Sequence, residues 1–299
     1  MSVCTSAYCR TVAFIAMGAV SLQAAARNSE LVQVANGVSL RVIVGGKDNA
    51  DKTLIFIPGW SASADVWQKQ LDDFARKYRV LSFDPRSQGD STKTKTGNTP
   101  EVRAQDLHVL LQRRTVQRPV LIGWSQGVQD VAAYVERYGT SDIAGIVLVD
   151  AAVSDGADGI LARSQEAAEQ FHMFSIYEAH QREYLHGMWQ AITSQPQAPE
   201  LIGRLVATGT KTPSSVGVAM LVADLFTVNR TPALAKIKCP TLIIASAKSA
   251  ELERQQAMTS QIANARFEKI DQAAHAVFLD QPDRFDELLS KFLDSLPPT

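Results

Sequence analysis

Ser125 stands between two glycines in the stretch "LIGWSQGVQD", at the spacing G-x-S-x-G, after a short apolar run and before a helix-like segment. Two roles fit a serine there. It can cap the helix that follows, since serine is a favoured N-cap residue. It can also be a nucleophile, displayed on a sharp strand-to-helix turn. A nucleophilic serine requires a base to take its proton, a carboxylate to orient that base, and N–H donors for the oxyanion formed at an attacked carbonyl. Gln126 offers one backbone donor as the residue after the serine, and "FIPGW" offers another, because Pro58-Gly59 turns the chain so that the N–H of Trp60 faces the same point. Loss of one such donor costs about 2.7–4 kcal/mol of transition-state stabilisation. Side chains at Gly123 and Gly127 would clash with neighbouring backbone in so tight a turn.

The base must follow the serine and the acid in the chain order of this arrangement. His108 precedes Ser125, and His172, His180 and His186 fall in a long helical stretch. Only His275, in "IDQAAHAVFLDQPDRF", lies after a last strand and before a last helix, where a loop can return it to the serine. The three histidines of the helical stretch lack the i, i+4 pairing of helical zinc motifs, so they read as solvated or packed side chains. Neither a metal nor a cofactor is expected.

These residues need a sheet to hold them. From Leu31 onward, apolar runs of strand length alternate with amphipathic stretches, the pattern of an α/β fold with a mostly parallel sheet. "TLIFI", "RVLSF", "PVLIG", "GIVLVD" and "TLIIAS" are continuous apolar runs, as strands buried on both faces require. "LVQVANGVSLRVIVGG" predicts a hairpin through Asn36-Gly37. A strand near "ARFEKI" and a helix opening at Pro282 complete the series. The alternation lapses between Ala151 and Ile237, where helical stretches run without a strand. This segment reads as a helical insertion over the carboxyl edge of the sheet, flanked by core segments 27–150 and 238–299. Its stretch "FHMFSIYEAHQREYLHGMW" can supply either a pocket lining or core.

A net charge of −1, from 30 basic and 31 acidic residues among 299, offers no field for gathering nucleic acid or coating an anionic membrane. A small molecule is the expected partner. Residues 1–26 carry Arg10, the apolar run "TVAFIAMGAVSL" and an Ala24-x-Ala26 pattern, as in a secretory signal peptide. The run is about a dozen residues, short of the roughly 20 that span a bilayer. Cleavage would leave Cys239 as the sole cysteine, unable to form an internal disulfide, in a periplasmic or secreted protein without stable membrane insertion.

Taken together, "GWSQG", "IPGW", "FDPRSQGDS", "CPTLIIAS" and His275 before the last helix resemble the α/β-hydrolase superfamily, in its cofactor-independent serine-hydrolase branch. The resemblance covers about Leu31 to Leu296. It implies an eight-stranded, mostly parallel sheet with helices on both faces, and it makes the helical insertion a cap. Two positions depart from the family pattern. Ser87 replaces a glycine in the structural loop from Asp84 to Ser91, and Ser249 stands where the family usually carries its triad acid. A serine cannot hold an imidazolium as a carboxylate does. Asp150, at the end of the sixth strand, is the first substitute, and Glu251, two residues past the vacated position, is the alternative. The activity implied is hydrolysis of a carboxylic ester, lactone or related acyl compound through an acyl-enzyme. The competing expectations are carbon–carbon bond hydrolysis, or a catalytically weakened or non-catalytic binding protein of the same fold.

Overall fold

A computed structural model describes residues 28–297, so the expected signal segment lies outside the described residues. The Asn36-Gly37 turn, with Gly37 at φ 68°, joins β1 (Asn28–Ala35) to β2 (Val38–Gly45) as an antiparallel hairpin. The remaining strands are β3 (Thr53–Ile57), β4 (Arg79–Phe83), β5 (Val120–Trp124), β6 (Gly145–Val149), β7 (Thr241–Ser246) and β8 (Ala265–Ile270). All eight form one sheet in the order β1-β2-β4-β3-β5-β6-β7-β8. β2 meets β4 antiparallel, and every pair from β4 to β8 is parallel.

Continuous apolar runs make sense in the four central strands because both faces are covered. Leu54 and Phe56 of β3 enter one hydrophobic cluster while Ile55 and Ile57 enter the other. Val120, Ile122 and Trp124 of β5 divide from Leu121 in the same way. Full burial of each such aliphatic side chain stabilises the fold by about 1.5–3 kcal/mol. The first helices are α1 (Gln68–Phe74), α2 (Pro100–Arg113) and α3 (Gln126–Tyr138). α1 packs Leu71 and Phe74 on the first face; α2 and α3 cover the second with Leu107, Leu110, Val128 and Val131.

Six helices lie between β6 and β7 among the described residues. They are α4 (Gly156–Ala162), α5 (Ser164–Ala179), α6 (Gln181–Ala191), α7 (Pro199–Gly209), α8 (Ser214–Leu225) and α9 (Thr231–Lys236). Not all of them belong to the covering layer. α9 places Ala233 and Leu234 in the same cluster as α3, so it is a crossover helix of the sheet. An isolated antiparallel bridge pairs Asp155 with Asn229 and marks where the covering segment leaves and rejoins. The cap is therefore shorter at its carboxyl end than the apolar pattern suggests, because α9 is amphipathic like its neighbours and only its packing partner distinguishes it. Beyond β7 follow α10 (Leu252–Met258), α11 (Val277–Asp280) and α12 (Pro282–Ser295), the last packing Phe285, Leu289 and Phe292 on the first face. Pro100 and Pro282 open their helices where no intrahelical N–H is needed.

β4 and β5 lie on opposite sides of β3, so the strand order reverses between β3 and β5. A crevice opens beyond the carboxyl ends of strands at such a switch point. Trp60 follows β3 and Ser125 follows β5, which places both at its mouth.

Candidate active site

Ser125 sits at φ 55°, ψ −117°, a conformation that a residue with a side chain occupies only under constraint. The flanking glycines allow the tight backbone packing that imposes it. A Cβ on Gly123 would lie 2.5 Å from the carbonyl oxygen of Gly127, and one on Gly127 would lie 2.7 Å from that of Ile57. The Ser125 N–H donates to the carbonyl of Val149 at 3.1 Å, and its carbonyl accepts the Val128 N–H at 2.9 Å. Its side chain makes no capping bond to α3, so the N-cap role does not account for the serine.

The loop carrying His275 is held at four consecutive residues. Ser246 Oγ donates to the carbonyl of Ala273 at 2.8 Å, and Asp280 accepts the Ala274 N–H at 2.7 Å. The Trp124 indole N–H donates to the carbonyl of His275 at 3.0 Å, and the Ala276 N–H donates to that of Ile192 at 2.9 Å. So fixed, His275 places Nδ1 2.8 Å from Oδ2 of Asp150. The carboxylate is sealed from solvent while the imidazole is about a third exposed, at 1% and 33%. A carboxylate at that distance accepts the Nδ1–H and leaves Nε2 as the nitrogen with a free lone pair.

Asp150 is itself pinned. Its φ of 46° turns the side chain away from the strand, and Oδ1 accepts the Ser246 N–H at 2.7 Å. Gln255 donates to Ser249 Oγ at 2.8 Å and approaches Asp150 Oδ1 at 3.4 Å, so the Ser249 hydroxyl anchors a glutamine that supports the Asp150 carboxylate. Glu251 lines the same cavity as His275 but makes no hydrogen bond to it. Its carboxylate accepts the Ala152 N–H at 3.1 Å and an Arg254 N–H at 2.5 Å, while burial holds its pKa above the usual carboxylate range against the pull of Arg254.

Trp60, Ser125, Gln126 and His275 line one cavity of about 170 Å³. Among the described residues, no carbonyl or side chain accepts a turn or loop hydrogen bond from the backbone N–H of Trp60 or Gln126. A larger cavity of about 540 Å³ lies over His186, Gln190 and Pro199 in the cap and includes neither Ser125 nor His275. The aromatic stretch of α5 and α6 contributes nothing to the smaller cavity. Tyr177, Leu185 and Trp189 are fully buried core, and the cap instead sends Ile160, Arg163, Glu166, Leu221, Asp224 and Leu225 to the lining. Arg163 binds Asp155 in a fork at 2.7 and 3.1 Å, and that bond holds Asp155 below the ordinary carboxylate pKa. Arg254 links the same Asp155, at 3.3 Å, to Glu251.

Sequence inspection misses this charged wall because its members come from three separate segments with no common spacing. It also misses a buried network behind the serine. Gln126 Nε2 donates to Asp224 Oδ2 at 2.6 Å, and Arg103 joins Asp224 at 2.5 Å to Asp130 at 2.8 Å. The one available signal was an arginine inside the apolar face of α2. His108, His172, His180 and His186 are not gathered at the site. Among the described residues, no group of three His, Cys, Asp or Glu side chains is placed to hold a metal.

Strained serine, sheet order and crevice define a hydrolase of the α/β type, and the chain belongs to the alpha/beta hydrolase family, whose sequence pattern matches residues 54–288. It is 34% identical over 99 residues to a bifunctional esterase/perhydrolase of Acinetobacter calcoaceticus, a match covering 33% of this chain and 36% of that protein. It is 24% identical over 272 residues to 3-oxoadipate enol-lactonase 1 of Acinetobacter baylyi, across 90% and 98% of the two chains. Matches at 32% identity or above span little more than a third of the curated relatives' length. Among solved structures, an esterase from Exiguobacterium antarcticum superposes with a TM-score of 0.79 at 21% identity, covering 89% of this chain and 99% of that one, a likeness of fold.

Proposed function

We propose that the protein is a serine hydrolase of carboxylic esters or lactones, in which Ser125, His275 and Asp150 act as nucleophile, base and acid. The observation that carries this reading is the 2.8 Å contact between His275 and the sealed Asp150 carboxylate, in a cavity that Ser125 shares with His275. His275 Nε2 takes the proton as Ser125 Oγ attacks the carbonyl carbon, and the N–H groups of Trp60 and Gln126 receive the oxyanion. The protonated imidazole then delivers that proton to the leaving alkoxide, giving an acyl-serine. Water activated by the same nitrogen releases the acid and restores the serine.

Labelling by a fluorophosphonate probe tests the reading. The wild type should react and Ser125→Ala should not; an unreactive wild type removes the enzyme reading and leaves a binding protein. The esterase/perhydrolase relative favours a second outcome at the same site, in which hydrogen peroxide replaces water as acyl acceptor and the product is a peracid. Peracid formation in the presence of peroxide distinguishes it. The sequence of residues 1–26 supports work outside the cytoplasm, and no helix among the described residues is long and apolar enough to cross a membrane.

A further inference from the structure

Helix α8 of the cap is hydrogen-bonded to the side chains of both residues whose backbone N–H groups the proposed function assigns to the oxyanion. The Trp60 indole N–H donates to the carbonyl of Gly217 at 2.9 Å, and Gln126 Nε2 donates to Asp224 at 2.6 Å. All four residues lie on buried surface, and Gly217 and Asp224 are two helical turns apart on α8. Both contacts are braced from behind. Tyr177 packs against Trp60 with ring centroids 4.6 Å apart and planes tilted by 60°, and its hydroxyl would lie 2.4 Å from a Cβ on Gly217, so α8 can sit this close only with glycine there. Arg103, wholly buried, fixes the other oxygen of Asp224 at 2.5 Å.

We propose that α8 is the positioning element of the oxyanion hole. The loop after β3 and the start of α3 pack directly on each other at Gly59 and Gly127, but they belong to different strand connections and, among the described residues, no hydrogen bond joins them to set the spacing of their two N–H groups. α8 bridges them, so the seating of the cap and the spacing of the donors are one coordinate. This inference rests on the serine-hydrolase reading of the site. Its residues act through Trp60 and Gln126, and a cap lifted away from α3 leaves a serine and base in place with a spread hole behind them.

The test uses Trp60→Phe, which keeps a ring against Tyr177 but removes the indole donor, and Gly217→Ala, which displaces α8 without touching the serine. Each is measured for melting temperature, for kcat and KM on a short ester, and for affinity to a trifluoromethyl ketone, which forms an oxyanion on Ser125, against affinity to the product acid. Misplacement by ~1 Å in a catalytic constellation costs on the order of a hundredfold, so kcat and ketone affinity should both fall by at least about tenfold. KM and product-acid affinity should change less than about twofold, since ground-state binding does not use the hole. Folded variants with kcat and ketone affinity within about twofold of wild type overturn the proposal. Should Gly217→Ala fail to fold, Trp60→Phe alone decides between the two results. An inert wild type would instead overturn the hydrolase reading, and the proposal with it.

Discussion

His275 and Asp150 meet at 2.8 Å although 125 residues separate them, and the family's usual acid position holds Ser249 instead. In the proposed triad the acid comes from the end of β6, adjacent to the end of β7 where the family usually carries it. The Asp150 N–H donates to the carbonyl of Ile244 at 2.8 Å, so the two strand ends lie side by side and the Asp150 carboxylate reaches the same imidazole nitrogen. Replacing Asp150 with Asn should lower kcat on p-nitrophenyl acetate by about four orders of magnitude, the loss seen when a triad acid is removed. Glu251→Gln, whose carboxylate serves Ala152 and Arg254, should lose less than about tenfold. Equal small losses in steady-state kinetics would remove Asp150 from the triad.

The glycines flanking Ser125 give a stability prediction. Gly127→Ala sets a methyl 2.7 Å from backbone oxygen of Ile57, a contact that no rotamer change relieves. Overpacking of this kind costs about 1–3 kcal/mol. Urea denaturation should show a lower midpoint with an unchanged slope, and a midpoint equal to wild type would show that the elbow is slack.

Asp130 gives a pH prediction. Burial raises its pKa to about 7, with Arg103 opposing the shift. Between about pH 4 and about pH 7 the unfolded chain has released this proton and the folded chain keeps it, so the group's contribution to stability declines as pH rises across that window. Above the window both states are ionised and the contribution is constant. Asn at position 130 does not titrate. The melting temperature of Asp130→Asn minus that of wild type should therefore increase from pH 4 to pH 7 and level off above it. A difference that stays flat shows Asp130 ionised throughout.

Substrate size follows from the cavity. About 170 Å³ beside Ser125 falls below the roughly 300–1,000 Å³ of sites for drug-sized ligands. kcat/KM should be highest for acetyl and butyryl esters and fall for octanoyl and longer chains. A maximum at long chains would mean that the cap opens during turnover.

Processing of the amino terminus is measurable directly. Under the proposed export, mass spectrometry of the protein produced in cells should give a chain beginning at Arg27, the residue after the Ala24-x-Ala26 pattern. Retention of the full leader would identify an anchor.

Much of the sheet was legible because period-two burial on both faces leaves continuous apolar runs, and β3 to β7 are such runs. Ser125 and His275 could be singled out in the sequence because strand-turn-helix context and chain order limit where the proposed nucleophile and its base can stand. Asp150 was harder to choose, since an aspartate ending a strand is chemically the same whether it braces a loop or holds a histidine. What brings Asp150 within 2.8 Å of His275 is a left-handed backbone at one residue and the neighbouring strand end, neither of which has a spacing signature. The network from Gln126 through Asp224 to Arg103 and Asp130 was invisible for the same reason. Its members come from α2, α3 and α8 and meet only in three dimensions.

The grip on His275 has an engineering consequence. Ala276 donates to Ile192, and the carboxylate of Asp280 that holds Ala274 also accepts the N–H groups of Ser194 and Gln195, so one of the four contacts on the histidine's loop comes from the link between α6 and α7 and a second is itself bonded to that link. Selectivity cannot be retuned by exchanging the lid wholesale as a cassette, because the graft would strip the base of its support. Libraries that randomise Ile160, Arg163 and Glu166 while keeping Tyr177, 192–195 and α8 intact leave the chemistry in register and explore only the walls.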